Sequence, residues 1–379
     1  MSNTLGPYDP VDYAQTALMW LRKTLGFGSR VYRGYDRAPA EKGSVITLRR
    51  PQAYTATAMP VSATPLSPES INVTLSEWWG VTIELTDKEQ AYTKDTIIQE
   101  QIAPMAYALA TKVDALVAGL YKDIPWSASV ASALAVADIT AARKTLSQNG
   151  CPMNDGRISL ALSPTLMKEA LDLAAFTQHQ GSGEGGASSQ RSGILGERYG
   201  MNPFENQNVQ THTSGVSADA IGAVTADAAV GATSVALDSV TTAGTFKAGD
   251  HFVFANHTQR YAVTADKTAS GGAVTLDFYP ALKTAVPSTT VITITLDGAG
   301  TGKEVSLAFH RDAFALAMAV LPDNLPGIQV FSARDEQSGL SVRARRWTDG
   351  NNAKQYIGVD ALFGVRTLNP NLAVRMYDN

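Results

Sequence analysis

TDKEQAYTKDTIIQEQIAPMAYALATKVDALVAGLYKD, Thr86 to Asp123, is the most regular stretch of the chain and constrains how the rest can be arranged. Its apolar residues recur in steps of three or four, the spacing of one face of an α-helix. They are Ile98, Ile102, Met105, Leu109, Val113, Leu116 and Leu120. Thr86 and Glu89 form a capping-box pair, and Pro104 predicts a kink because proline lacks an amide donor. At about 1.5 Å per residue the helix spans roughly 55 Å, which predicts a strut.

The sequence before this helix predicts two extensions with little core of their own. Residues 1–36 open with a polar lead and continue as a short amphipathic helix from Val11 to Leu25, which must rest on this chain or on a neighbour. Residues 37–86 hold two strand-like runs, Val45 to Arg49 and Ile71 to Leu85, separated by a segment rich in Pro, Ser and Thr. We expect an N-terminal arm and a long β-hairpin with a weakly packed tip.

The sequence after the long helix predicts a mixed α+β domain. A helix from Ala137 to Gln148 precedes a strand from Arg157 to Ser163, and Pro164 begins a third helix that runs to Phe176. The Gly- and Ser-rich segment from Gly181 to Gly193 predicts a loop. The mixed pattern resumes at KEVSLAFHRDAFALAMAVLP, Lys303 to Pro322, which predicts a strand leading into a helix.

Between these two halves, Ser214 to Leu296 has a different composition. Val, Thr, Ala and Gly dominate, and short strand-like runs recur with Gly and Asp turns between them. The runs are Thr233 to Leu237, His251 to Phe254, Tyr261 to Thr264, Ala273 to Phe278 and Val291 to Leu296. This spacing predicts a small barrel or sandwich inserted into a host domain. Two further strands are predicted near the end of the chain, at Leu340 to Trp347 and Tyr356 to Leu368.

The composition favours a surface that meets other protein. Charged residues make up 17% of the chain, below the roughly 25% of typical soluble domains, and the net charge of −4 gives no basis for tight non-specific binding of nucleic acid. A single cysteine, Cys151, excludes an intrachain disulfide. The start, MSNTLGPYDP, lacks the features of a signal peptide, and no uninterrupted run of about 18 apolar residues predicts a membrane helix. We expect a folded protein made in a reducing cytosol.

Two glycine-rich segments approach nucleotide-binding motifs but lack essential parts. GSGEGG, Gly181 to Gly186, has dinucleotide spacing, yet it follows a predicted helix and does not open another. DGAGTGKE has Asp297 where a phosphate-binding loop has its first glycine and Glu304 where it has a hydroxyl. We therefore predict a mobile loop and a linker, and no bound cofactor.

The other residues capable of chemistry are not brought together by spacing. The histidines are His179, His212, His251, His257 and His310, and no two have the i, i+4 spacing of a helical metal site. His251 and His257 flank a short strand near Asp250, where a zinc site stays open as an alternative. Cys151 is expected to be a buried thiol rather than a nucleophile. We predict no catalytic, cofactor-binding or metal-binding residues, and no enzyme activity.

The order of these elements resembles the Hong Kong 97-like major capsid fold of tailed bacteriophages. More narrowly, it is similar to the coat proteins of short-tailed phages that carry an inserted β-barrel domain. The likeness covers nearly the whole chain and is carried by LSPTLMKEALDL (162–173), AGDHFVFAN (248–256), LAFHRDAFALAMAVLP (307–322) and SGLSVRARRW with YIGVDALFGVRTLNPNLAVRM (338–376).

The resemblance implies an α+β fold with a long kinked spine helix, an extended hairpin (E-loop), an N-terminal arm and an inserted small all-β domain. The implied divisions are 1–36, the arm; 37–86, the E-loop; 87–126, the spine helix of the peripheral domain; 127–213 and 301–335, the two parts of the axial domain; 214–300, the inserted β-barrel domain; and 336–379, the returning strands of the peripheral and axial domains.

The resemblance also implies a structural role and a set of partners. The chain would be a major capsid subunit that assembles as hexamers and pentamers into an icosahedral shell around phage double-stranded DNA. Implied partners are further copies of the chain, a separate scaffolding protein, a portal protein, in some shells a decoration protein, and packaged DNA through non-specific contacts, with no membrane. Assembly in the bacterial cytoplasm and residence in the virion capsid follow. Two alternatives stay open: a nanocompartment shell that encloses protein cargo, and a glycan-binding or adhesive protein built on the β unit.

Three features refine what the resemblance implies. Some members crosslink a hairpin lysine to a neighbour's asparagine, but Gly43 to Asp87 contains no lysine, which predicts no such crosslink. No long coiled-coil pattern precedes the arm, which predicts a separate scaffold. Arg343, Arg345 and Arg346 form the one basic cluster, with Arg346 on the opposite face of a strand from the other two. Because the rest of the chain is not basic, we expect these arginines to form ion pairs with a neighbouring subunit.

Overall fold

A computed structural model describes residues 10–34, 45–50, 59, 69–86, 96–130, 133–178, 189–215, 221–238, 240, 244–255, 257–295, 302–335 and 339–378. The chain divides into two compact units. The first unit comprises residues 1–117 and 314–368, and the second comprises residues 118–313 and 369–379. Residues 314–335, predicted to belong to the axial domain, therefore cluster with the first unit.

The helices are α1 (Pro10–Thr24), α2 (Phe27–Arg30), α3 (Thr96–Gly119), α4 (Val136–Gln148), α5 (Pro164–Asp172) and α6 (Ala174–Thr177). The strands up to the barrel are β1 (Val45–Arg50), β2 (Glu69–Thr74), β3 (Glu77–Thr86), β4 (Ser127–Val130), β5 (Ile158–Leu162), β6 (Asn202–Glu205) and β7 (Thr211–Thr213). The next are β8 (Ile221–Val224), β9 (Ser234–Asp238), β10 (Thr245–Phe246), β11 (His251–Phe254), β12 (Tyr261–Val263), β13 (Lys267–Thr268), β14 (Val274–Tyr279) and β15 (Val291–Thr295). The last are β16 (Gly302–His310), β17 (Phe314–Ala319), β18 (Gln329–Arg334), β19 (Ser341–Asp349), β20 (Lys354–Thr367) and β21 (Ala373–Asp378).

The first unit is built on a five-stranded antiparallel sheet centred on β20. Strand β20 pairs with β19 over residues 354–360 and with β17 over residues 362–367, while β3 pairs along residues 354–363. The overlap at Leu362 and Phe363 places β3 on the opposite edge of β20 from β17. Gly80 permits the close approach of β3, because a Cβ there would lie 2.8 Å from the Cβ of Asp360. The sheet therefore has β3 as one edge strand.

The N-terminal helix α1 rests on its own chain. Tyr13, Ala17 and Leu21, three of its apolar residues, are buried, and the helix packs against β18 and β19. Asp114 of α3 accepts backbone hydrogen bonds from Gly26 (2.7 Å) and Gly28 (2.8 Å), which ties the segment after α1 to α3. The sequence left open whether this helix rests on its own chain or on a neighbouring subunit, and in the structure it rests on its own chain.

The long helix α3 continues through Pro104, and over its 24 residues it spans about 36 Å. Thr86 of its predicted start ends β3, and Glu89 lies in residues 87–95, outside the described part of the chain. Toward its end the buried positions are Val117 and Tyr121 rather than the predicted Leu116 and Leu120. Burial therefore follows an i, i+4 ridge, which winds around a helix, rather than a stripe parallel to its axis.

Residues Glu100–Asp123 are also long and apolar enough to cross a membrane by length and composition alone. Half of this segment is buried inside the protein. Core helices of globular proteins pass the same test, and the burial of Ile102, Met105 and Leu109 identifies this segment as such a core helix.

Two predictions in the first unit are wrong. The run from Ile71 to Leu85 is two strands, because β2 pairs with β1 and β3 belongs to the large sheet. The predicted helix after His310 is a short 3-10 turn followed by strand β17, whose residues 314–318 are all buried. Ala, Leu and Met favour helices, but a strand covered on both faces is also an unbroken apolar run, so periodicity does not separate the two.

The second unit contains a six-stranded sheet in the order β4-β21-β16-β5-β6, with β7 pairing to β16. Helices α4 and α5 bury their apolar faces in its core, together with Cys151. The third predicted helix ends early, at Asp172, and a separate turn, α6, follows Leu173. Ser163 caps α5 by accepting a hydrogen bond from the Leu166 amide at 3.2 Å.

A closed barrel lies within the stretch predicted as a separate β unit. Its strand order is β11-β12-β14-β9-β8-β15, and aromatic side chains fill its interior. First and last strands pair with each other, as β8 with β15, and the strands that lead into and out of the barrel also pair, as β7 with β16. The chain thus leaves and re-enters the host sheet at one place, the arrangement that insertion of a domain requires.

Candidate assembly surfaces and the barrel junction

Strand β3 presents two adjacent tryptophans to solvent. Trp78 is 60% exposed and Trp79 is 42% exposed. Both are held in place: the Trp78 indole donates to Asp360 at 2.8 Å, the Trp79 indole donates to Glu77 at 2.7 Å, and Lys112 lies 3.9 Å above the Trp79 ring. Because large aromatic side chains are costly to leave in water, fixed and exposed tryptophans mark a contact surface.

The backbone of β3 adds to this surface. Among the described residues, the strand partner of β3 is β20, which lies along one edge of this ten-residue strand, so β3 is an edge strand of the sheet. Such an edge is a template for contact with another chain. We call β3 with Trp78 and Trp79 the edge surface. Further exposed large apolar side chains in the first unit are Met19, Val45, Met59, Tyr107 and Val320, and those in the second are Ile194, Tyr199, Val230 and Val291.

Behind the edge surface lies a buried ion pair. Arg343 donates to Asp360 from Nη2 at 2.6 Å and from Nε at 3.1 Å, and both side chains are buried. Arg345 approaches the same carboxylate at 3.5 Å. The expectation that the arginine cluster pairs with a neighbouring subunit is therefore wrong for Arg343, whose partner Asp360 lies on the next strand. The register of β19 and β20, which places these two residues opposite each other, cannot be read from the sequence.

The second unit has a buried polar network at the base of the barrel, which we call the barrel junction. The carboxylate of Asp250 accepts from His212 Nε2 at 2.9 Å and from the amides of Lys247 (2.8 Å) and Gly215 (3.1 Å). The His212 Nδ1 lies 3.0 Å from the Tyr121 hydroxyl. Since a carboxylate only accepts, Nε2 carries the proton, and in a neutral imidazole Nδ1 accepts from Tyr121.

Arg375 is the central cation of the barrel junction and is fully buried. It donates to the carbonyl oxygens of Gly249 and Lys122, the latter at 3.1 Å, and to the Tyr377 hydroxyl at 2.7 Å. Burial raises the pKa of Tyr121 to about 12, although nearby Arg375 acts in the opposite direction. Arg375 thus joins β21 of the host sheet to the turn that precedes β11 of the barrel.

His251 forms the second half of the barrel junction. Its Nε2 lies 3.2 Å from the Ser127 hydroxyl, which also accepts from Arg260 at 2.9 Å, and its ring stacks on Tyr377. Burial, followed by the charges of Arg375 and Arg260, holds the pKa of His251 well below its ordinary value. The imidazole is therefore neutral at physiological pH and is unsuited to gaining a proton in place.

Another histidine cluster lies near Cys151. His310 Nε2 contacts Asp155 at 2.7 Å, and its Nδ1 accepts from the Asp312 amide at 3.2 Å. Burial opposes ionisation of Asp155, but the hydrogen bonds from His310 and from the Arg157 amide outweigh it and lower the pKa of this carboxyl. Burial beside two carboxylates raises the pKa of the Cys151 thiol to about 11, so the thiol is protonated and a poor nucleophile.

The structure separates the residues of the zinc alternative. Asp250 accepts a hydrogen bond from His212, the His251 Nε2 lies 3.2 Å from the Ser127 hydroxyl, and the His257 Nδ1 lies 3.4 Å from the Tyr261 hydroxyl. No group of three His, Cys, Asp or Glu residues that could hold a metal ion occurs in the described part of the chain. His179, GSGEGG and most of DGAGTGKE lie outside it, and Lys303 and Glu304 stand on β16.

Sequence reasoning missed the barrel junction and the Arg343 and Asp360 pair. His212 and Asp250 are 38 residues apart, and Asp250 and Arg375 are further apart still. The sequence signal for the junction was local, a glycine (Gly249) directly before Asp250. In the structure Gly249 has a φ of +106°, a backbone conformation that residues with a side chain rarely adopt.

The sequence matches the family model for phage capsid proteins over residues 68–269, more than half of the chain. No curated protein matches the sequence. Residues 68–269, which the family model matches, include the edge surface, α3 and most of the barrel.

The fold is similar to those of solved phage capsids at low identity. A chain of Mycobacterium phage Che8 is 15% identical, covers 93% of this chain and 90% of its own, and gives a TM-score of 0.50. The capsid of Ralstonia phage GP4 is 10% identical, with 94% and 92% coverage and a TM-score of 0.49. The capsid of cyanophage P-SCSP1u is 10% identical, with 93% and 88% coverage and a TM-score of 0.48. The chain therefore belongs to the phage capsid protein family, has a Hong Kong 97-like fold, and is the major structural subunit of a phage capsid.

Proposed function

We propose that this capsid protein assembles as hexamers and pentamers through the edge surface, and that its shell encloses double-stranded DNA. The observation that carries the proposal is the pair of immobilised, solvent-exposed tryptophans on the edge strand β3. A lone subunit leaves 60% of Trp78 and 42% of Trp79 exposed. As consecutive strand residues they point to opposite faces of the sheet, so a neighbouring copy that pairs along β3 would contact both. Weak contacts of this kind, repeated around a closed symmetric shell, give a stable particle and allow errors to dissociate.

The proposed division of labour follows the predicted segments. The E-loop (37–86) and spine helix (87–126) bring subunits together, while helix α1 of the arm (1–36) packs on its own chain. The axial parts (127–213 and 301–335, of which 314–335 cluster with the first unit) surround the ring axes, and 336–379 closes the sheets. The inserted domain (214–300) stands apart from this scheme because its strands close into a barrel with its own core. Contact with packaged DNA is local and non-specific, in keeping with the net charge of −4.

The proposed partners are a separate scaffolding protein and a portal protein, with a decoration protein as an optional addition to the finished shell. Assembly takes place in the bacterial cytoplasm. We propose no catalytic role. Cys151 is buried and its pKa is raised, and the buried histidines His212 and His310 are hydrogen-bonded to carboxylates.

Co-expression of the full chain with and without its scaffolding protein tests this proposal. Electron microscopy of the products is expected to give closed icosahedral particles of uniform size with the scaffold, and aberrant or fewer particles without it. Nucleic acid in particles purified from infected cells supports the phage-shell function. Particles filled with an enzyme cargo, or a chain that stays monomeric in both cultures, would contradict it.

A further inference from the structure

The second unit contains a polar cleft between the inserted barrel and its host domain. It has a volume of about 640 Å³ and lies between the C-terminal end of α4 and the barrel segments at residues 257–261 and 283–284. This volume is within the roughly 300–1,000 Å³ range of small-molecule sites. The lining contains amide, hydroxyl and aromatic side chains, and no Asp or Glu is among its described lining residues.

Two asparagines supply hydrogen-bond donors to the cleft. Asn149, the residue that ends α4, has a buried Nδ2 with no hydrogen-bond partner among the described residues. Trp126 donates its indole N–H to Asn371 Oδ1 at 3.1 Å. Because indole nitrogen only donates, the atom that faces it must be the carbonyl oxygen, and Nδ2 of Asn371 is left for another acceptor.

The barrel side of the cleft supplies an acceptor and an apolar wall. Gln259 is buried and donates Nε2 to the Arg260 carbonyl at 2.7 Å, which leaves its Oε1 as an acceptor. Tyr261, also buried, and Trp126 provide aromatic surface. Donors, an acceptor and flat apolar rings together match a molecule whose hydroxyl groups both donate and accept and whose C–H bonds form an apolar face.

Charge narrows the class of ligand. A cationic ligand has no carboxylate to meet among the described lining residues. A phosphorylated ligand would meet one cation, the exposed Lys283, and would lie at the carboxyl end of α4, where the helix dipole is negative and disfavours anions. An uncharged ligand avoids both costs.

An extended peptide fits less well than a small polyol. Peptides commonly bind by adding a strand to a free sheet edge. The six described barrel strands close on themselves, so the barrel offers no such edge beside the cleft.

We propose that this cleft is a binding site for a neutral saccharide of one or two sugar rings, held between the barrel and the host sheet. The Asn149 and Asn371 amides donate to sugar oxygens, Gln259 Oε1 accepts from a sugar hydroxyl, and Trp126 packs on the ring. A ligand in this position contacts both the barrel and its host, so it restrains the barrel when bound.

Saturation-transfer NMR on full-length protein, as assembled shells and as unassembled subunits, tests the site. The probes are maltose, N,N′-diacetylchitobiose and methyl α-mannoside, each at millimolar concentration, with inorganic phosphate as the charged comparison. We expect transfer to at least one sugar. The variant Asn149→Asp keeps the side-chain size and removes the donor, and it is expected to weaken binding about tenfold or more.

The matched control is Asn154→Asp, an exposed asparagine outside the cleft, which should bind as the unaltered chain does. Shell formation is recorded for every variant, so that a loss of assembly is distinguished from a loss of binding. The proposal is overturned if no probe sugar binds, if phosphate binds in preference to the sugars, or if Asn149→Asp and Asn154→Asp bind equally. Binding by free subunits but not by shells would also overturn it, because another copy would then occupy the cleft.

Discussion

The barrel and the large sheet of the first unit differ in how the edges of their sheets are paired. In the barrel, six strands close on themselves around Phe252, Phe254 and Phe278, and the described strands leave no open edge. The sheet of the first unit stays open, and its edge strand β3 carries Trp78 and Trp79 in solvent. Closure satisfies backbone groups within one chain, whereas an open edge leaves them for another chain. We infer that the barrel is stabilised within one chain, whereas the open sheet is the region that can bind another copy of the chain.

Both regions also rely on a buried carboxylate, but in different surroundings. Asp360 lies directly behind the edge surface and holds Trp78, whereas Asp250 lies at the barrel junction and holds the turn before β11. A change at Asp360 should therefore affect both folding and assembly. A change at the barrel junction should affect the barrel more than the shell.

The largest expected effect is on assembly. Trp79→Glu removes the indole that a neighbouring copy would cover and places a charge there, whose desolvation on assembly costs several kcal/mol for each copy even with Lys112 nearby. We expect the affinity between subunits to fall by more than about tenfold and closed particles to disappear, while circular dichroism of the subunit is unchanged. Sedimentation velocity measures the particle fraction. The control is Val230→Glu, which is 63% exposed and lies on the barrel side, and the comparison fails if this variant blocks assembly as strongly.

The next largest effect is on the stability of the first unit. Asp360→Ala leaves the buried Arg343 without its carboxylate and removes the acceptor of the Trp78 indole, so we expect a loss of about 3–5 kcal/mol in the free energy of unfolding. Denaturant titration followed by tryptophan fluorescence measures it. Asp172→Ala removes an exposed pair with Lys168 and should leave the midpoint unchanged. Equal midpoints for the two variants would refute a stabilising role for the buried pair.

A smaller effect is expected at the barrel junction. Arg375→Leu leaves the carbonyl groups of Gly249 and Lys122 without this donor, at about 1–3 kcal/mol for each group that stays buried and unpaired. Amide hydrogen exchange should accelerate around residues 247–251 while β3 and β20 keep their protection. If amide exchange accelerated equally in both units, the barrel junction would stabilise the whole chain rather than the barrel alone.

The smallest effect is a dependence on pH. The pKa of His251 is lowered in the folded protein, whereas an unfolded histidine titrates near 6.5, so below that pH the unfolded chain binds more protons. Its contribution to stability is therefore complete above about pH 6.5 and declines as the pH falls. His251→Gln should flatten this slope in thermal unfolding between about pH 7 and 5, whereas His257→Gln should keep it. A slope that persists in His251→Gln would assign the acid sensitivity to other groups.

The sequence predicts elements well where one pattern has one structural meaning. Five of the six barrel strands, helix α4 and strands β19 and β20 come within a few residues of their predicted limits, whereas strand β8 (Ile221–Val224) was not predicted. Prediction failed where local preference and tertiary pairing disagree. FALAMA favours a helix but pairs with β20, and the break between β2 and β3 at Leu75 and Ser76 contains one serine and no glycine or proline to mark it.

The polar partnerships could not be predicted because they depend on register and on contacts far apart in the chain. Arg343 meets Asp360 only when β19 and β20 pair in the observed register. The barrel junction unites Tyr121, His212 and Asp250, which have no common sequence pattern. The absence of lysine from Gly43 to Asp87 still predicts no hairpin crosslink, and denaturing gel electrophoresis of mature particles should show single subunits rather than a ladder.

Hydroxyl-radical footprinting of the tryptophans tests the central claim most directly. Oxidation of Trp78 and Trp79 would be measured by mass spectrometry in unassembled subunits and in closed shells, with exposed Tyr199 of the second unit as an internal reference. We expect both tryptophans to react readily in the free subunit and to be protected several-fold in the shell. Equal oxidation of Trp78 and Trp79 in the two states would contradict assembly through the edge surface.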